Sequence, residues 1–305
     1  MKPAFGRLAP AIALAVALLS STLFAPSDAH AEPFRLATWN IGWLTDRPKD
    51  DPGVPKSVKY RRTEADYALL RSYLARMAPD VVALQEIDGE GPARRLFPAA
   101  EWDLFLTDET DTQRPALAVR KGRGVATQRN PDLAELDVTA NEPRSLRRGL
   151  DVTLTGANWS LRLLVVHLKC CCPTEPATAS NDNCPPLWRQ LPVLERWIAA
   201  RAAESKPYAL AGDFNRKFSQ TDSFYQSLRA AAKRQITDLG YWLKSPCWTH
   251  TGEPMIDHLM LGGPAERWHD GKSLYVMTYD EPKTEDNIAR LSDHCAVYAT
   301  IQPKP

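Results

Sequence analysis

The chain has 305 residues, of which 38 are basic and 37 acidic, and its formal net charge at pH 7 is +1. A balance this close to zero excludes a protein that holds polyanions through its overall charge, although local basic clusters remain open to that role. The length is sufficient for one large layered domain with a substantial core.

The N-terminal residues have the layout of a secretory signal peptide. Two basic residues precede an apolar run over residues 8–25, and Ala29-His30-Ala31 gives a small-x-small cleavage site. A membrane anchor is the alternative, but the run is short, and no other stretch is apolar enough to span a bilayer. We therefore predict a signal peptide at residues 1–31 and a single domain at residues 32–305. The mature chain is expected to be an exported monomer, periplasmic or extracellular, without stable membrane insertion.

Apolar periodicity predicts more strands than helices in the mature chain. Thr63 is the expected N-cap of the first helix. Several strands are apolar on both faces, which fits two sheets packed face to face with helices outside. Strands are expected at residues 34–42, 80–87, 102–106, 116–120, 133–138, 148–154, 161–168, 208–211, 255–261, 274–278 and 294–301, and helices at residues 63–77, 187–203 and 222–232.

The cysteines indicate disulfide bonding. An even number of cysteines in an exported protein is typical of disulfides, and a cysteine-rich zinc site is unfavourable in an oxidising compartment. A stretch rich in Pro, Thr and Asn separates the run at residues 170–172 from Cys184, so we expect a disulfide that closes this loop. The sequence leaves the other pairings open. The six cysteines are Cys170, Cys171, Cys172, Cys184, Cys247 and Cys295.

The most informative stretch is the apolar run Tyr208–Ala211, which Gly212, Asp213 and Asn215 follow. Glycine lets the backbone turn and approach a neighbour closely, and side chains two residues apart on an extended chain point the same way. Asp213 and Asn215 should therefore be displayed together at the carboxyl end of a strand, where α/β sheets place their ligands. A turn rich in Asp and Asn that merely closes the strand is the alternative.

Polar residues recur at the ends of other apolar runs, and a charged group in such a place is costly unless it is paired or binds a cation. Carboxylate and amide oxygens suit hard cations such as Mg²⁺, Mn²⁺ or Ca²⁺, and imidazoles beside carboxylates supply general acids and bases. The pattern predicts metal-assisted displacement at a phosphate ester. A structural network of buried polar groups and a protein that only binds a metal are the alternatives. The set is Asn40, Glu86, His167, Asp213 with Asn215, Asp257, and Asp293 with His294.

These residues belong to six motifs that resemble, in order, those of the endonuclease/exonuclease/phosphatase superfamily. That superfamily includes deoxyribonuclease-I-like nucleases, abasic-site endonucleases, bacterial sphingomyelinases and inositol polyphosphate phosphatases. The resemblance spans nearly the whole mature chain. It implies a four-layered α/β sandwich of two packed mixed β-sheets flanked by helices, and a phosphoesterase that needs a divalent metal. The motifs are Thr38-Trp39-Asn40, Leu84-Gln85-Glu86, Val166-His167-Leu168, Gly212-Asp213-Phe214-Asn215, Ile256-Asp257-His258 and Leu291-Ser292-Asp293-His294.

The resemblance also implies a metal site and a catalytic pair. Glu86 would be the main metal ligand, with Asn40 and Asp293 completing or supporting the site, and the ion would be Mg²⁺, or else Mn²⁺ or Ca²⁺. His294, oriented by Asp257, would act on the attacking water or on a phosphate oxygen.

The remaining implied roles concern the nucleophile and the substrate. Asp213 would position or deprotonate the nucleophile, Asn215 would hydrogen-bond the phosphoryl oxygens, and His167 would stabilise or protonate the leaving group. In the secreted nucleases of the superfamily an acid pairs with the histidine that matches His167, but Gln113 occupies that place here. A glutamine would orient the ring and favour its protonated form less, which argues against a simple deoxyribonuclease. Arg114 is a candidate for contacting a substrate phosphate.

We therefore predict an exported, divalent-metal-dependent nuclease or phosphodiesterase that acts on nucleic acid. Basic clusters at residues 120–123 and at Arg147-Arg148 are candidates for contacting phosphates, and Trp43 and Trp248 could stack on bases. The alternative is a phosphatase or phospholipase C-type enzyme for a small phosphoester, such as a nucleotide, an inositol phosphate or a phospholipid head group. A catalytically silent binding protein is disfavoured, because every matched position carries a competent residue.

Overall fold

Twelve strands and five helices are found in the computed structural model, which describes Met1 and residues 31–56, 58, 60–139, 145–248, 251–269 and 271–304. The strands are β1 (Phe34–Leu44), β2 (Val81–Ile87), β3 (Trp102–Leu106), β4 (Arg114–Arg120), β5 (Ala126–Arg129), β6 (Leu150–Thr155), β7 (Ser160–His167), β8 (Tyr208–Asp213), β9 (Ile236–Asp238), β10 (Asp257–Gly262), β11 (Leu274–Val276) and β12 (Val297–Ile301). The helices are α1 (Glu64–Met77), α2 (Glu90–Leu96), α3 (Cys184–Glu204), α4 (Ser223–Ala231) and α5 (Glu285–Arg290).

The predicted signal peptide falls almost entirely outside the described residues. From Ala31 onward the described chain forms one compact unit. Within that described part, none of the helices combines the length and the apolar character needed to traverse a bilayer.

The strands form two mixed sheets of six strands each. The order in the first sheet is β11-β12-β1-β2-β4-β3, and in the second it is β5-β6-β7-β8-β10-β9. Each sheet has one parallel pair at its centre, β1 with β2 and β7 with β8, while the described pairs around them are antiparallel. The two parallel pairs face each other across the interface between the sheets, where β1 contacts β8 and β10.

Three apolar cores separate four layers. The central core lies between the two sheets, the second packs α1 and α2 against the first sheet, and the third packs α3 and α4 against the second sheet. Strand alternation explains this division: on β7, Leu163 and Val165 enter the central core, while Leu164 and Val166 enter the helix-side core. The predicted four-layered sandwich of two packed mixed sheets with flanking helices is therefore confirmed.

Gly212 permits the central parallel pairing of the second sheet. Its φ is +152°, and a Cβ at this position would lie 2.0 Å from the carbonyl oxygen of Val166 on β7. A side chain would push β8 away from β7, so the glycine before Asp213 is needed for close strand approach as well as for the turn.

The strand predicted at residues 133–138 is wrong. This stretch is a 3₁₀ turn, Ala134–Leu136, flanked by irregular chain. Leu133 pairs with Gly149 in an isolated antiparallel bridge, but the pairing does not continue, and the carboxylate of Asp137 instead accepts hydrogen bonds from the backbone N–H groups of Thr139 and Leu146. The expected N-cap of the first helix is observed, since the Thr63 hydroxyl accepts from the backbone of Asp66 and the carboxylate of Asp66 accepts in return.

Candidate active site between the sheets

Alternation along the strands brings four of the predicted site residues to one end of the space between the sheets. His167, Asp213 and Asp257 each have the same parity as the residues of their strand that enter the central core, and so does Asn40 on β1. In the strand registers, His167 pairs with Asp213 and Asp213 pairs with Asp257. Three side chains of the second sheet therefore stand in a row, and Asn40 faces them from the first sheet.

Glu86 reaches the same space through a β-bulge. By simple alternation it would face the helices, as Val82 and Leu84 do, but Ile87 also packs in the helix-side core, so the alternation is broken between Leu84 and Ile87. The pairing of β2 with β4 shifts register between these two residues, and Glu86 has a φ of +64°, in the left-handed region. The extra residue turns the carboxylate towards the other sheet. Periodicity in the sequence gives no sign of this bulge.

The carboxylate of Asp213 lies between two imidazoles. Its Oδ2 atom is 3.7 Å from Nε2 of His167 and 3.7 Å from Nε2 of His294. The side-chain amides of Asn40 and Asn215 each donate to the same oxygen at 3.1 Å, and the backbone N–H of Asn215 donates to Oδ1 at 2.7 Å. Burial raises the pKa of Asp213 to about 7, because the charged form loses its hydration. This carboxyl group can therefore exchange a proton near neutral pH.

His294 is held by Asp257. Its Nδ1 atom lies 2.8 Å from Oδ2 of Asp257. Burial alone would lower the pKa of His294, but the carboxylates of Asp257 and Asp213 hold that pKa well above its ordinary value. The backbone N–H of His294 donates to Oγ of Ser292, whose hydroxyl donates to the carbonyl of Asn40 at 2.7 Å. The arrangement is that of an imidazolium fixed against the first sheet, with Nε2 directed towards Asp213.

His167 has the opposite protonation preference. Burial, and then the positive charge of Arg147, hold the pKa of His167 well below its ordinary value. Its Nδ1 atom is 3.4 Å from the carbonyl oxygen of Gln113, an acceptor that places the ring proton on Nδ1 and leaves a lone pair on Nε2. The prediction that the side chain of Gln113 orients the ring is wrong. The main chain of Gln113 faces His167, while its side chain turns to Glu86.

Glu86 and Asp293 form the acidic part of the site. Oε1 of Glu86 accepts from Nε2 of Gln113 at 2.8 Å, and Oε2 accepts from the backbone N–H of Trp43 at 2.8 Å. Burial, and then the negative charge of Asp293, raise the pKa of Glu86 above its ordinary value. Glu86 is largely buried and Asp293 is exposed; together, two carboxylates that repel each other form a donor set for a hard divalent cation, which would remove the repulsion. The residues present therefore fit such an ion.

Asn40 is oriented to support these carboxylates. Its Oδ1 atom accepts from the backbone N–H of Gly42 at 3.0 Å, and its Nδ2 atom faces Oδ2 of Asp213 at 3.1 Å and Oε1 of Glu86 at 3.5 Å. In this orientation the amide presents hydrogens to the site. Ligation of a cation through Oδ1 would require the hydrogen bond to Gly42 to be given up.

Arg147 lies at the site, whereas the sequence marked it only as part of a basic cluster that is a candidate for contacting phosphates. It is 7% exposed, and within the described structure its buried Nε atom has no hydrogen-bond partner. Its Nη2 atom donates at 2.7 Å to the carbonyl of Leu168, which also accepts from Nδ2 of Asn215 at 3.1 Å. The positive charge acts on both His167 and Glu86. No sequence pattern distinguishes this buried arginine from the neighbouring Arg148.

The basic cluster around Arg120 is not at the site, contrary to the role considered for it. Arg120 ends β4, whereas Arg114, at the start of that strand, pairs with the end of β2 that carries the site. Arg120 stacks over the ring of Trp102 at 4.3 Å, and Arg123 forms an ion pair with Asp80 at 2.7 Å. These two cations are used in packing and ion pairing at the opposite end of the strands from the site.

Arg114 lies against a loop rather than against the polar cluster. Its Nη1 atom donates to the carbonyl of Glu109 at 3.0 Å, and a Cβ on Gly89 would lie 2.9 Å from its Nη2 atom. Its contact with substrate stays a prediction.

Two disulfides stabilise the chain beside the two histidines. The expected disulfide from the cysteine run to Cys184 is formed by Cys172 and closes the loop after β7, and Cys247 is bonded to Cys295, the residue that follows His294. Cys170 and Cys171, the other two of the six described cysteines, are free thiols.

The sequence pattern of the Endonuclease/Exonuclease/phosphatase family matches residues 37–294 of this chain. The chain therefore belongs to that family of phosphoester hydrolases, and it is an enzyme of this class. No curated protein sequence matches it significantly.

Several solved structures are similar in fold. The human Nocturnin catalytic domain with bound sulfate shares 15% identity at a TM-score of 0.57, over 88% of this chain and 92% of that one. D. rerio TDP2 complexed with single-strand DNA product shares 18% identity at 0.55, over 89% and 99%. The 3′ phosphatase NExo from Neisseria, bound to product DNA hairpin, shares 16% identity at 0.56, over 88% and 99%.

Proposed function

We propose that the protein is an exported, divalent-metal-dependent phosphodiesterase that cleaves phosphodiester bonds of nucleic acid. The observation that carries the reaction class is the Asp213 carboxylate between two imidazoles of opposite protonation preference, 3.7 Å from each. A base, an acid and two further acidic side chains within one cleft are suited to metal-assisted hydrolysis of a phosphate ester. Two disulfides support export, since such bonds persist in oxidising compartments.

Glu86 and Asp293 are the proposed ligands of the ion, with Asn40 holding the carboxylates in place. Mg²⁺ is the proposed ion, or Mn²⁺ or Ca²⁺ in its place, because the donors are hard oxygens. When bound, it supplies positive charge that polarises the phosphoryl group and favours loss of a proton from water.

Asp213 is the proposed acceptor of the proton from the attacking water. Its pKa of about 7 suits a base that works near neutral pH. His294, kept protonated by Asp257, donates a hydrogen bond from Nε2 to a phosphoryl oxygen as negative charge builds there.

The other polar groups are proposed to hold the phosphate. Asn215 and Arg147 share the carbonyl of Leu168, so both donors are fixed to one point of the backbone. His167 is neutral with its lone pair on Nε2, so in this state it can accept a hydrogen bond within the site but cannot supply the proton that a leaving group needs.

Likeness in fold to DNA-bound structures favours a polymer substrate. Two of the structures similar in fold hold DNA products. Trp248 is less suited to base stacking than expected, since its ring packs on Tyr279 with centroids 4.9 Å apart and its Nε1 atom donates to the carbonyl of Ser292.

One observation favours the second candidate function, in which the substrate is a small phosphoester. A cavity of about 490 Å³ opens next to the site, and Gln113, Arg47 and Ser145 are among its lining residues. This volume suits a nucleotide-sized group. A phosphatase or phospholipase C-type enzyme for a nucleotide, an inositol phosphate or a lipid head group would use the same catalytic residues.

The test is hydrolysis by the mature protein of supercoiled plasmid, bis-p-nitrophenyl phosphate and p-nitrophenyl phosphate, with Mg²⁺, Mn²⁺ or Ca²⁺ and with EDTA. We expect plasmid nicking that EDTA abolishes, that His294→Ala loses and that the matched variant His269→Ala keeps. Cleavage of the small esters alone would replace the nucleic-acid assignment by the second candidate. Nicking that persists in His294→Ala would refute the proposed site.

A further inference from the structure

Two free thiols lie side by side in the loop that follows His167. The Sγ atoms of Cys170 and Cys171 are 2.7 Å apart, and the S–H group of Cys171 donates towards Cys170. Cys171 is exposed and Cys170 is partly exposed, so a small molecule in solution can reach the pair. None of the roles proposed for the active site uses these sulfurs.

The surroundings distinguish the two sulfurs. Nζ of Lys169 lies 3.7 Å from Sγ of Cys170, so Cys170 faces an ammonium group as well as the donated S–H. Positive charge and donated hydrogen bonds favour a thiolate. Burial, and then the contact with Cys170, raise the pKa of Cys171 to about 11. Cys170 is therefore the attacking sulfur and Cys171 the sulfur that reacts second.

The backbone holds the pair together from both sides. The N–H of Leu168 donates to the carbonyl of Asp213 at 2.9 Å, which fixes the segment to the second sheet, and Cys172 is bonded to Cys184. Cys171 itself has a φ of +72°, a left-handed conformation that side-chain-bearing residues rarely adopt. The approach of the two sulfurs is thus maintained by the fold.

We propose that Cys170 and Cys171 form a redox-active dithiol that closes to a disulfide between adjacent residues, with a small-molecule disulfide as oxidant. The Cys170 thiolate attacks one sulfur of the oxidant, which releases one thiolate and leaves a mixed disulfide on Cys170. Cys171 then loses its proton, attacks Sγ of Cys170 and releases the second thiolate. Two protein thiols are oxidised, the oxidant is reduced to two thiols, and the two protons end on those thiols.

Closure of this ring reaches the active site through Leu168. The carbonyl of Leu168 accepts from Arg147 and Asn215, and the ring forms in the same short segment. The segment is fixed on one side at Leu168 and on the other at Cys172, so a change of the backbone at Cys170 and Cys171 is expected to shift one of these two residues. We expect the closed form to hydrolyse phosphodiesters more slowly, a consequence that rests on the proposed function, whereas closure itself does not.

The disulfide is tested by peptide mass. Trypsin cuts after Lys169 and Arg189, which releases residues 170–189 with four of the cysteines in one peptide. The protein is equilibrated in glutathione buffers that range from reducing to oxidising and is then alkylated. It is digested without reduction, and the mass of this peptide is measured by mass spectrometry. We expect two alkyl groups under mildly reducing conditions and none under oxidising conditions, with no glutathione retained. Two retained glutathiones, or two alkyl groups at every ratio, would overturn the proposal.

Variants assign the bond. In the double variant Cys172→Ser/Cys184→Ser only the adjacent pair remains in the peptide, so loss of two hydrogens on oxidation demonstrates the bond directly. In Cys170→Ser the peptide should carry one glutathione or one alkyl group and never close. If the double variant does not fold, fragmentation of the oxidised wild-type peptide decides, and a bond from Cys170 or Cys171 to Cys184 would refute closure.

The rate with bis-p-nitrophenyl phosphate is compared for the oxidised and mildly reduced protein. Cys170→Ser receives the same treatment, so any effect of the other two disulfides appears in both proteins. A fall in rate on oxidation in the wild type alone supports the coupling to the site. Equal rates in a protein whose peptide shows closure would overturn the coupling while the dithiol stands.

Discussion

Glu86 and Asn215 are held in backbone conformations that side chains rarely adopt, with φ values of +64° and +53°. Each such residue costs about 1–3 kcal/mol. Hydrogen bonds hold them there: Gln113 and Trp43 donate to the carboxylate of Glu86, and Asn215 donates twice to Asp213. These left-handed backbone conformations therefore direct a carboxylate and an amide into positions that regular strand geometry would not give.

The proposed ligand role of Glu86 can be tested by Glu86→Gln, which removes the charge and keeps the shape. We expect the concentration of metal needed for half-maximal activity to rise by about tenfold or more, because the site loses its main anionic donor. The measurement is a titration of activity with Mg²⁺. Glu90→Gln, an exposed acid at the start of α2, is the matched control and should leave the titration unchanged. An unchanged titration for Glu86→Gln would exclude this residue as the ligand.

Arg147 is expected to bind substrate phosphate with its spare donors. Arg147→Met should lower kcat/KM for bis-p-nitrophenyl phosphate by about 10- to 100-fold, as loss of a charge-assisted hydrogen bond predicts. Inhibition by inorganic phosphate should weaken in parallel, which a purely structural role would not produce. The neighbouring Arg148→Met is the control, because its Nη1 atom is engaged with the carbonyl of Asp108. Unchanged phosphate inhibition in Arg147→Met would contradict the proposal.

At the scale of elements, the segment before α1 joins parts of the site that are distant in sequence. Nη2 of Arg62 donates to the carbonyls of Ile41 and Gly42 at the end of β1, and to the carbonyl of Leu291 just before Asp293. One half-buried guanidinium thus fixes the turn after Asn40 against the loop that carries His294. Removal of this side chain would leave several buried carbonyls without donors.

The same region predicts a pH dependence of stability. Burial alone would raise the pKa of Asp66, but hydrogen bonds from Arg290 and Thr63 lower it from 3.8 to about 2. A lowered folded-state pKa gives stability that is present above the unfolded-state value and lost as pH falls towards 2. Asp66→Asn should therefore cost roughly 2 kcal/mol at pH 7, and about half of that at pH 3.

The measurement for Asp66→Asn is the free energy of unfolding in denaturant between pH 7 and pH 3. Glu64→Gln is the control in the same helical turn, since the side chain of Glu64 is 73% exposed and should contribute little. A cost for Asp66→Asn that does not change with pH would show that the lowered pKa is not the source of the stability.

At the scale of the whole molecule, the site lies at one end of the central strands of both sheets, and a disulfide follows each of the two site histidines in the chain. Cys172–Cys184 closes the loop after His167, and Cys295 is the neighbour of His294. The rigid part of the fold thus extends to the reacting groups, as a preorganised site requires.

The near-zero charge and the paired surface arginines predict a shallow salt dependence for binding of nucleic acid. With about two phosphates contacted, affinity should fall roughly tenfold between 50 and 200 mM salt. The measurement is fluorescence anisotropy with labelled DNA and the inactive Asp213→Ala variant in EDTA. A fall of about a thousandfold would instead require an extended basic surface. That would conflict with the stacking of Arg120 on Trp102 and the ion pair of Arg123 with Asp80 at the end of the strands remote from the site.

Much of the candidate site could be predicted because strand ends are visible in a sequence. Apolar runs that stop at His167 or Asp213 fix both the strand and its parity, so the convergence of these side chains follows from alternation. Arg147 could not be predicted in this way, because its burial depends on loops folding over the end of β7. The bulge at Glu86 was equally hidden, since it depends on how β2 pairs with β4.

The sequence by itself determined the layered fold, the order of the motifs, the family resemblance and the disulfide that closes the loop after His167. These features depend on local periodicity and residue type, which are properties of short segments. The tertiary structure alone decided that Gln113 turns its side chain to Glu86 and that Asn40 presents its amide hydrogens to the site. It also decided that the cluster at Arg120 lies at the end of the strands remote from the site. Those features depend on which atoms meet across elements far apart in the chain, and there the direction of a side chain is set by packing.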